Sequence, residues 1–259
     1  PNVTPAPRSM ARSAVLALAA AALLAACGGD GDTTGPALAG ARVRVLHLIP
    51  DAPAVDVRID GALPDEWRAL AFGGAPAYRS ASARTSVLTM QVAPSTTPDA
   101  PRPLLTSSRI DLQRNTDYTF VLSGRLAADS AADDQPTFAP YIDDNTAPPA
   151  GTTRVRVLHA SPDAGPVDVY ALPAGTTTIP ATATPLVRGM SFRSARAATP
   201  TAGSYALLLT RVNERTPVLL VQDNVTLAAG AGVTVLARGV VRTGAPPAQA
   251  LRFQLLVDR

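Results

Sequence analysis

Two segments of this chain are nearly identical although they lie far apart. Residues 42–57 read RVRVLHLIPDAPAVDV and residues 154–169 read RVRVLHASPDAGPVDV, and the two agree at 12 of 16 positions without a gap. Each segment contains one of the chain's two histidines, His47 and His159, followed by a Pro-Asp pair. A repeat at this separation predicts a chain of two domains that are built on the same plan.

The similarity continues beyond the opening segments. Tyr78-Arg79-Ser80 is echoed by Phe192-Arg193-Ser194, and two longer runs recur as well, residues 103–124 at 217–239 and residues 137–144 at 251–258. The offset between equivalent residues grows slowly along the chain, as insertions in loops between retained strands would produce. We therefore expect one domain over residues 41–146 and a second over residues 147–259.

Each unit contains short runs in which apolar and polar residues alternate. Val43, Val45 and His47 alternate with Arg44 and Leu46, and the runs are separated by turn residues. Period-2 alternation is typical of strands with one buried face, and 25 prolines with 18 glycines favour many short strands over long helices. The pattern predicts an all-β fold of two tandem antiparallel β-sandwiches of immunoglobulin-like size, with about seven strands each.

Residues 64–72, PDEWRALAF, differ between the two units and are expected to form a variable loop with one helical turn. Trp67 is the only tryptophan of the chain. Two interpretations of it stay open, since the indole could anchor the loop to the sandwich or stand exposed as a binding contact.

The front of the chain is expected to carry an export signal. Residues 13–26 form an apolar run that follows Arg12 and is too short to cross a bilayer, as is typical of a signal peptide core. Residues 1–9 are interpreted as upstream sequence. Residues 1–26 together would then be upstream residues and signal, and residues 27–40, rich in glycine, a flexible tether.

The run Leu24-Ala25-Ala26-Cys27 resembles the lipobox of bacterial lipoproteins. The resemblance implies that Cys27 carries a diacylglycerol thioether and an acylated amino terminus, with palmitate as a typical chain. Cys27 is the only cysteine, so no internal disulfide competes for it. Gly28 stands where lipoproteins of the inner membrane often carry aspartate, which favours the outer membrane.

The block RVRVLHASPDAGPVDVY, followed by FRS and VLARG, resembles the bacterial domain of unknown function 4397. The resemblance covers nearly all of residues 41–259 in two copies. The first copy departs from the family pattern at Leu48-Ile49, and the second departs at Gly165. The family implies an exported or surface-attached protein and brings no established activity.

A structural role explains the repeated block. His47 and His159 are expected to bury their rings at the end of a strand and to bond to loop backbone. Pro50-Asp51 and Pro162-Asp163 would begin turns, each aspartate accepting bonds from amides two residues on. Asp56 and Asp168 would lie on outward strand faces, where they could pair with Arg44 and Arg156.

Two chemical alternatives to this structural role exist. An envelope hydrolase could use His159, Ser161 and Asp163, but the first copy has Ile49 in place of the serine. A calcium-stabilised adhesin could bind the ion at Asp143-Asp144-Asn145, although the chain has no run of alternating acids such as the EF-hand loop. We expect no catalytic residues, no metal site and no cofactor.

The charge pattern argues against nucleic acid as a partner. The chain has 23 arginines and no lysine against 20 acidic residues, and the arginines alternate along predicted strands without clustering. The expected function is that of a non-catalytic binding, adhesion or spacer module. It would be held to the membrane through Cys27, with a protein or polysaccharide partner in the cell envelope.

Overall fold

The computed structural model describes Pro1 and residues 40–92, 104–127 and 134–259. The first strand among these residues is β1 (Ala41–Leu48). The predicted signal peptide core, Cys27 and the predicted tether up to residue 39 lie outside the described residues. Gly40–Arg259 forms one compact unit. No helix among the described residues is long and apolar enough to span a bilayer.

The first half of this unit is a β-sandwich, called here the first sandwich. One sheet has the strand order β3-β1-β8-β9, the other has the order β2-β5-β6, and β4 pairs with β7. The strands after β1 are β2 (Val55–Ile59), β3 (Arg79–Ala81), β4 (Thr85–Ser86), β5 (Leu88–Val92), β6 (Leu105–Thr106), β7 (Ile110–Asp111), β8 (Asp117–Ser123) and β9 (Thr137–Asp143). A 3₁₀ turn, Asp65–Trp67, precedes β3.

The second half, called here the second sandwich, follows the same plan. Its sheets have the orders β13-β10-β16-β17 and β12-β11-β14-β15. Its strands are β10 (Arg154–Ala160), β11 (Val167–Pro173), β12 (Val187–Met190), β13 (Ala195–Ala198), β14 (Gly203–Arg211), β15 (Leu220–Leu227), β16 (Gly232–Arg238) and β17 (Arg252–Val257). Strands β1, β3, β8 and β9 therefore correspond to β10, β13, β16 and β17.

The all-β sandwich architecture predicted from the sequence is confirmed, with one departure from antiparallel order in each sandwich. Strand β1 runs parallel to β8, and β10 runs parallel to β16. Between β1 and β8 the chain passes through the opposite sheet, returns at β3 antiparallel to β1, and passes through β4 to β7 before β8 enters the first sheet parallel to β1. A parallel pair needs such a long crossover, because a short hairpin can join only antiparallel strands.

Each sandwich has a separate apolar core supplied by the alternating residues. Val43 and Val45 of β1 enter the first core, and the equivalent Val155 and Val157 of β10 enter the second. Trp67 is fully buried in the first core, and the Arg79 guanidinium lies 5.5 Å from its ring centroid. Of the two interpretations of this residue, the anchor for its loop is therefore the one that the structure supports.

The match of Tyr78-Arg79-Ser80 with Phe192-Arg193-Ser194 is not a structural equivalence. The His159 amide bonds to the Ser194 carbonyl, whereas the His47 amide bonds to the carbonyl of Gly74. Phe192 therefore corresponds to Phe72, and each ring meets its histidine edge-on at 6.3 to 6.4 Å. The two segments therefore occupy different positions in the two sandwiches, because backbone pairing sets the register.

On the strand itself, the residue corresponding to Tyr78 is an alanine. Arg42 and Val43 pair with Ser80 and Arg79, so the next position places Arg44 opposite Tyr78. In the second sandwich Arg156, the counterpart of Arg44, pairs with Ala197. A large ring in one sandwich is thus replaced by a methyl group in the other.

Candidate functional site

The repeated block forms a corner in each sandwich, joining a strand of one sheet to a strand of the other. In the first sandwich the chain leaves β1, turns at Pro50-Asp51 and enters β2. The Ala52 amide closes this turn on the Ile49 carbonyl at 3.3 Å. Pro50 and its counterpart Pro162 are both buried, so the corner belongs to the packed interior.

The two histidines hold these corners through both ring nitrogens. Nε2 of His159 lies 2.8 Å from the Gly165 carbonyl, and Nδ1 accepts the Ser161 amide at 3.4 Å. His47 has the same pair of contacts, to the Pro53 carbonyl at 3.3 Å and to the Ile49 amide at 3.5 Å. A carbonyl oxygen requires a donor, so the neutral ring with its proton on Nε2 fits both sites.

Burial determines the protonation of these rings. Both side chains are fully shielded from solvent, and burial lowers the pKa of His47 to about 4, opposed by the bond to Pro53. Burial lowers the pKa of His159 as well, opposed by its bond to Gly165. Both imidazoles are therefore neutral at physiological pH, with neither nitrogen free to take a proton from a nucleophile.

The aspartate of each Pro-Asp pair makes long-range bonds, contrary to the prediction of a local turn bond. Asp51 accepts the amides of Leu126 and Ala127, both at 2.9 Å. Asp163 accepts the amides of Val241 and Arg242 at 2.8 and 3.0 Å. Asp51 thus holds the chain just after β8, and Asp163 holds it just after β16. These are the strands that run parallel to β1 and β10.

The prediction that Asp56 and Asp168 lie on a solvent face and pair with arginines is wrong. Both are buried, with relative exposures of 6% and 1%. Asp56 accepts the Ala69 amide at 2.8 Å, and Asp168 accepts the amides of Gly189 and Asn213 at 2.7 and 3.0 Å. Backbone amides from other segments need acceptors here, and alternation along β2 and β11 cannot reveal such partners.

The geometry does not assemble a hydrolytic triad at Ser161. Its hydroxyl lies 3.3 Å from Asp163 Oδ1, and only its backbone amide contacts His159. The serine is fully buried. A nucleophile needs its own base and access to substrate, and this hydroxyl has neither.

A second feature, which the sequence analysis missed, is the interface between the sandwiches. The outward face of the β1 sheet packs against the outward face of the β10 sheet through six buried apolar side chains. They form three equivalent pairs, one member from each sandwich: Leu46 and Leu158, Leu48 and Ala160, Val121 and Leu236. Equal contributions from equivalent residues give the interface pseudo-two-fold symmetry.

Two ion pairs cross this interface in opposite directions. Arg44 of the first sandwich donates to Asp258 of the second at 2.6 Å, and Arg156 of the second donates to Asp143 of the first. Both carboxylates are nearly inaccessible to solvent. Arg44 and Arg156 occupy equivalent positions in the two sandwiches, as do Asp143 and Asp258. Each sandwich therefore contributes one arginine and one carboxylate to the ion pairs across the interface.

Two threonines complete these ion pairs in the same symmetric way. Thr119 accepts from Arg44 at 2.8 Å and donates to Asp143 at 2.5 Å. Its counterpart Thr234 accepts from Arg156 and donates to Asp258 at 2.6 Å. Buried charges with partners of this kind avoid the large cost of an unpaired ion.

The two carboxylates of the calcium alternative pair with arginines, Asp143 with Arg156 and Asp144 with Arg154. The Asn145 side-chain nitrogen donates to Asp117 at 2.6 Å, and this bond does not involve the oxygen that would bind calcium. In the part of the chain that the structure describes, no three acidic, histidine or cysteine side chains gather as metal ligands.

Comparisons with known proteins identify a family and a solved structure to which the chain is similar. The chain resembles the solved structure of a candidate cell adhesion protein from Bacteroides ovatus ATCC 8483, over 85% of this chain and 96% of that one, with 13% identity and a TM-score of 0.26. No curated protein matches the chain. The family model described as "Domain of unknown function (DUF4397)" matches residues 41–170, which include the first sandwich and the repeated corner of the second. This chain therefore belongs to the DUF4397 family.

Proposed function

We propose that this protein is a non-catalytic module of the bacterial cell envelope, in which two sandwiches of the DUF4397 type act as one block on a lipid anchor. The observation that carries the proposal is the reciprocal interface. The buried pairs Arg44 with Asp258 and Arg156 with Asp143 join the sandwiches into the compact unit Gly40–Arg259. Such a block suits a spacer or a binding surface held at a fixed geometry.

The repeated corners support a structural role for the signature residues. Both ring nitrogens of each histidine contact backbone groups, and the aspartates hold neighbouring loops. The residues that first suggested chemistry are thus occupied in supporting the fold. We therefore propose that the protein is not an enzyme and needs no cofactor.

The anchor is the second part of the proposal. Cys27 is the only cysteine, and it follows Leu24-Ala25-Ala26 in lipobox order. Two or more acyl chains give durable membrane attachment at about 0.8 kcal/mol per buried methylene. We propose the outer membrane as the destination and an envelope protein or polysaccharide as the partner.

Labelling with radioactive palmitate in the native cells tests the anchor. The parent chain should incorporate label and enter the detergent phase on Triton X-114 partition, while Cys27→Ala should do neither. Equal behaviour of the two chains would contradict lipidation at Cys27. Cross-linking in intact envelopes, with Cys27→Ala as the control, then identifies the partner that the anchored protein contacts.

A fluorophosphonate probe tests the absence of a serine nucleophile. The folded protein should show no stoichiometric labelling, because Ser161 is buried and its hydroxyl contacts Asp163. Labelling that disappears in Ser161→Ala would overturn the non-catalytic proposal.

A further inference from the structure

The Tyr78 ring fills a defined place beside the interface in the first sandwich. The Arg44 and Arg42 guanidinium carbons lie 4.3 and 5.3 Å from its ring centroid, within the range of cation–π contact. The Tyr78 hydroxyl donates to Asp143 Oδ2 at 2.6 Å. Three groups therefore hold this phenol: two arginine faces and one carboxylate.

The second sandwich has the same three groups without the phenol. Arg156, Arg154 and Asp258 correspond to Arg44, Arg42 and Asp143, and Ala197 occupies the position of Tyr78. A cavity of about 230 Å³ lies at this place, and these four residues are among those that line it. A cavity of about 150 Å³ in another protein is large enough to hold benzene, so one phenolic ring fits here.

Two polar groups at the same cavity have unused hydrogen-bonding capacity. Asp143 accepts from Arg156, Thr119 and the Tyr78 hydroxyl, whereas Asp258 accepts only from Arg44 and Thr234 among the described residues. A carboxylate has about four acceptor positions, so Asp258 can take one more donor. Nε of Arg154 is also buried, and no described residue provides it with a hydrogen-bond partner.

We propose that this cavity is a binding site for a phenolic ring supplied from outside the chain. The ring lies against Arg154 and Arg156, and its hydroxyl donates to Asp258, as Tyr78 does to Asp143. The ligand class is a para-substituted phenol, either a free small molecule or the tyrosine side chain of a partner. The site is independent of the lipid anchor, so its failure would leave the proposed envelope role untouched.

Titration of the full chain with p-cresol, followed by the backbone amide NMR signals of Ala197 and Gly232, tests the site. We expect saturable shifts at these positions. Toluene, which lacks the hydroxyl, and 4-methylcyclohexanol, which lacks the aromatic ring, should each bind at least tenfold more weakly. Equal binding of p-cresol and toluene would contradict the role of Asp258.

The matched control is a substitution that fills the cavity with a side chain of the protein itself. Ala197→Tyr should abolish the p-cresol shifts and melt at or above the temperature of the parent, because the new ring repeats the contacts of Tyr78. If Ala197→Tyr does not fold, Ala197→Leu fills the same space without the hydroxyl and should also abolish binding. Unchanged p-cresol binding in a folded variant of either kind would overturn the proposal.

N-acetyltyrosine amide distinguishes the two sources of the ring. Binding as tight as that of p-cresol would assign the site to the tyrosine side chain of a partner. Binding of p-cresol alone would assign it to a free phenol, because the cavity would then exclude the backbone atoms of a peptide. Absence of saturable binding by both compounds would overturn the proposal.

Discussion

Arg44 Nη2 donates to Asp258 Oδ1 at 2.6 Å across the interface between the two sandwiches, and these residues lie 214 positions apart in the chain. Their side chains are 4% and 7% exposed, so the pair is almost fully removed from water. Arg156 and Asp143 repeat the contact in the opposite direction. The same type of buried arginine–aspartate pair thus occurs twice in the interface.

Asp258→Ala should lower the free energy of unfolding by about 3 to 5 kcal/mol, because it leaves the Arg44 guanidinium buried without its counterion. Urea unfolding of the variant and the parent measures this loss. The control is Asp65→Ala, which removes the partner of Arg68 in an ion pair whose side chains are 56% and 95% exposed and should cost about 1 kcal/mol or less. Equal losses in the two variants would contradict a dominant role for the buried pair.

Asp163→Ala should lower the free energy of unfolding by about 3 kcal/mol, since bonds from amides to a charged acceptor are among the stronger ones. Hydrogen exchange should quicken at Val241 and Arg242, whose amides lose their acceptor. Asp65→Ala serves as the control, because the Asp65 side chain is 95% exposed and its removal should change little. Unchanged exchange at both amides would show that the carboxylate does not hold this loop.

Stability should fall as the pH is lowered from 7 to 5, owing to the buried histidines. The pKa of His47 is about 4 in the folded chain against about 6.5 in the unfolded chain, so between these values the unfolded state binds more protons. Between pH 7 and pH 5 this difference in proton binding lowers the free energy of unfolding by about 2 kcal/mol for His47, and His159 acts in the same direction.

Chemical denaturation at several pH values measures this effect. His47→Gln should be less stable than the parent at pH 7 but should lose less stability on going to pH 5. Above pH 5 the carboxylates contribute little to the slope, because their protonation lies mainly at lower pH. A parent chain with the same stability at pH 7 and pH 5 would contradict neutral, buried imidazoles.

Trp67→Ala should cost about 3 to 5 kcal/mol, as expected for a large side chain removed from a packed core. Trp67→Phe should cost less, because phenylalanine fills much of the site and removes a buried indole nitrogen that has no hydrogen-bond partner in the described part of the chain. Val257→Ala is a surface control, since Val257 is 75% exposed.

Fluorescence provides an independent check on Trp67. As the chain has one tryptophan, its emission reports this site alone. The folded protein should emit in the blue-shifted range of a buried indole and resist quenching by iodide. Emission typical of an exposed indole would contradict its place in the core.

The alternation of apolar and polar residues was sufficient to predict the strands and the side of β1 that faces the core. Val43, Val45 and His47 share a face in the sequence pattern, and all three are buried in the structure. This prediction succeeds because successive side chains of a strand point to opposite faces, which is a local property. The repeat likewise indicated that the plan of the first half recurs in the second.

The sequence also contained a signal for the interface that alternation by itself does not interpret. Leu46 and Leu48 share the outward face of β1 with Arg44, and a strand face that met only water would not need two leucines. Period-2 alternation treats this face as the solvent side. The two leucines on it are the signal from which a covered face could have been predicted, although they do not show what covers it.

The sequence by itself determined the repeated strands, the turns at Pro50 and Pro162, and the inward position of the histidines, because each follows from residues close together in the chain. Only the tertiary structure decided the partners of the charged groups. Asp51 bonds to an amide 75 positions away, and Arg44 bonds to a carboxylate 214 positions away. An arginine on an outward strand face has the same sequence pattern whether it meets water or a second sheet. Packing of the two sheets is what brings a specific carboxylate to it.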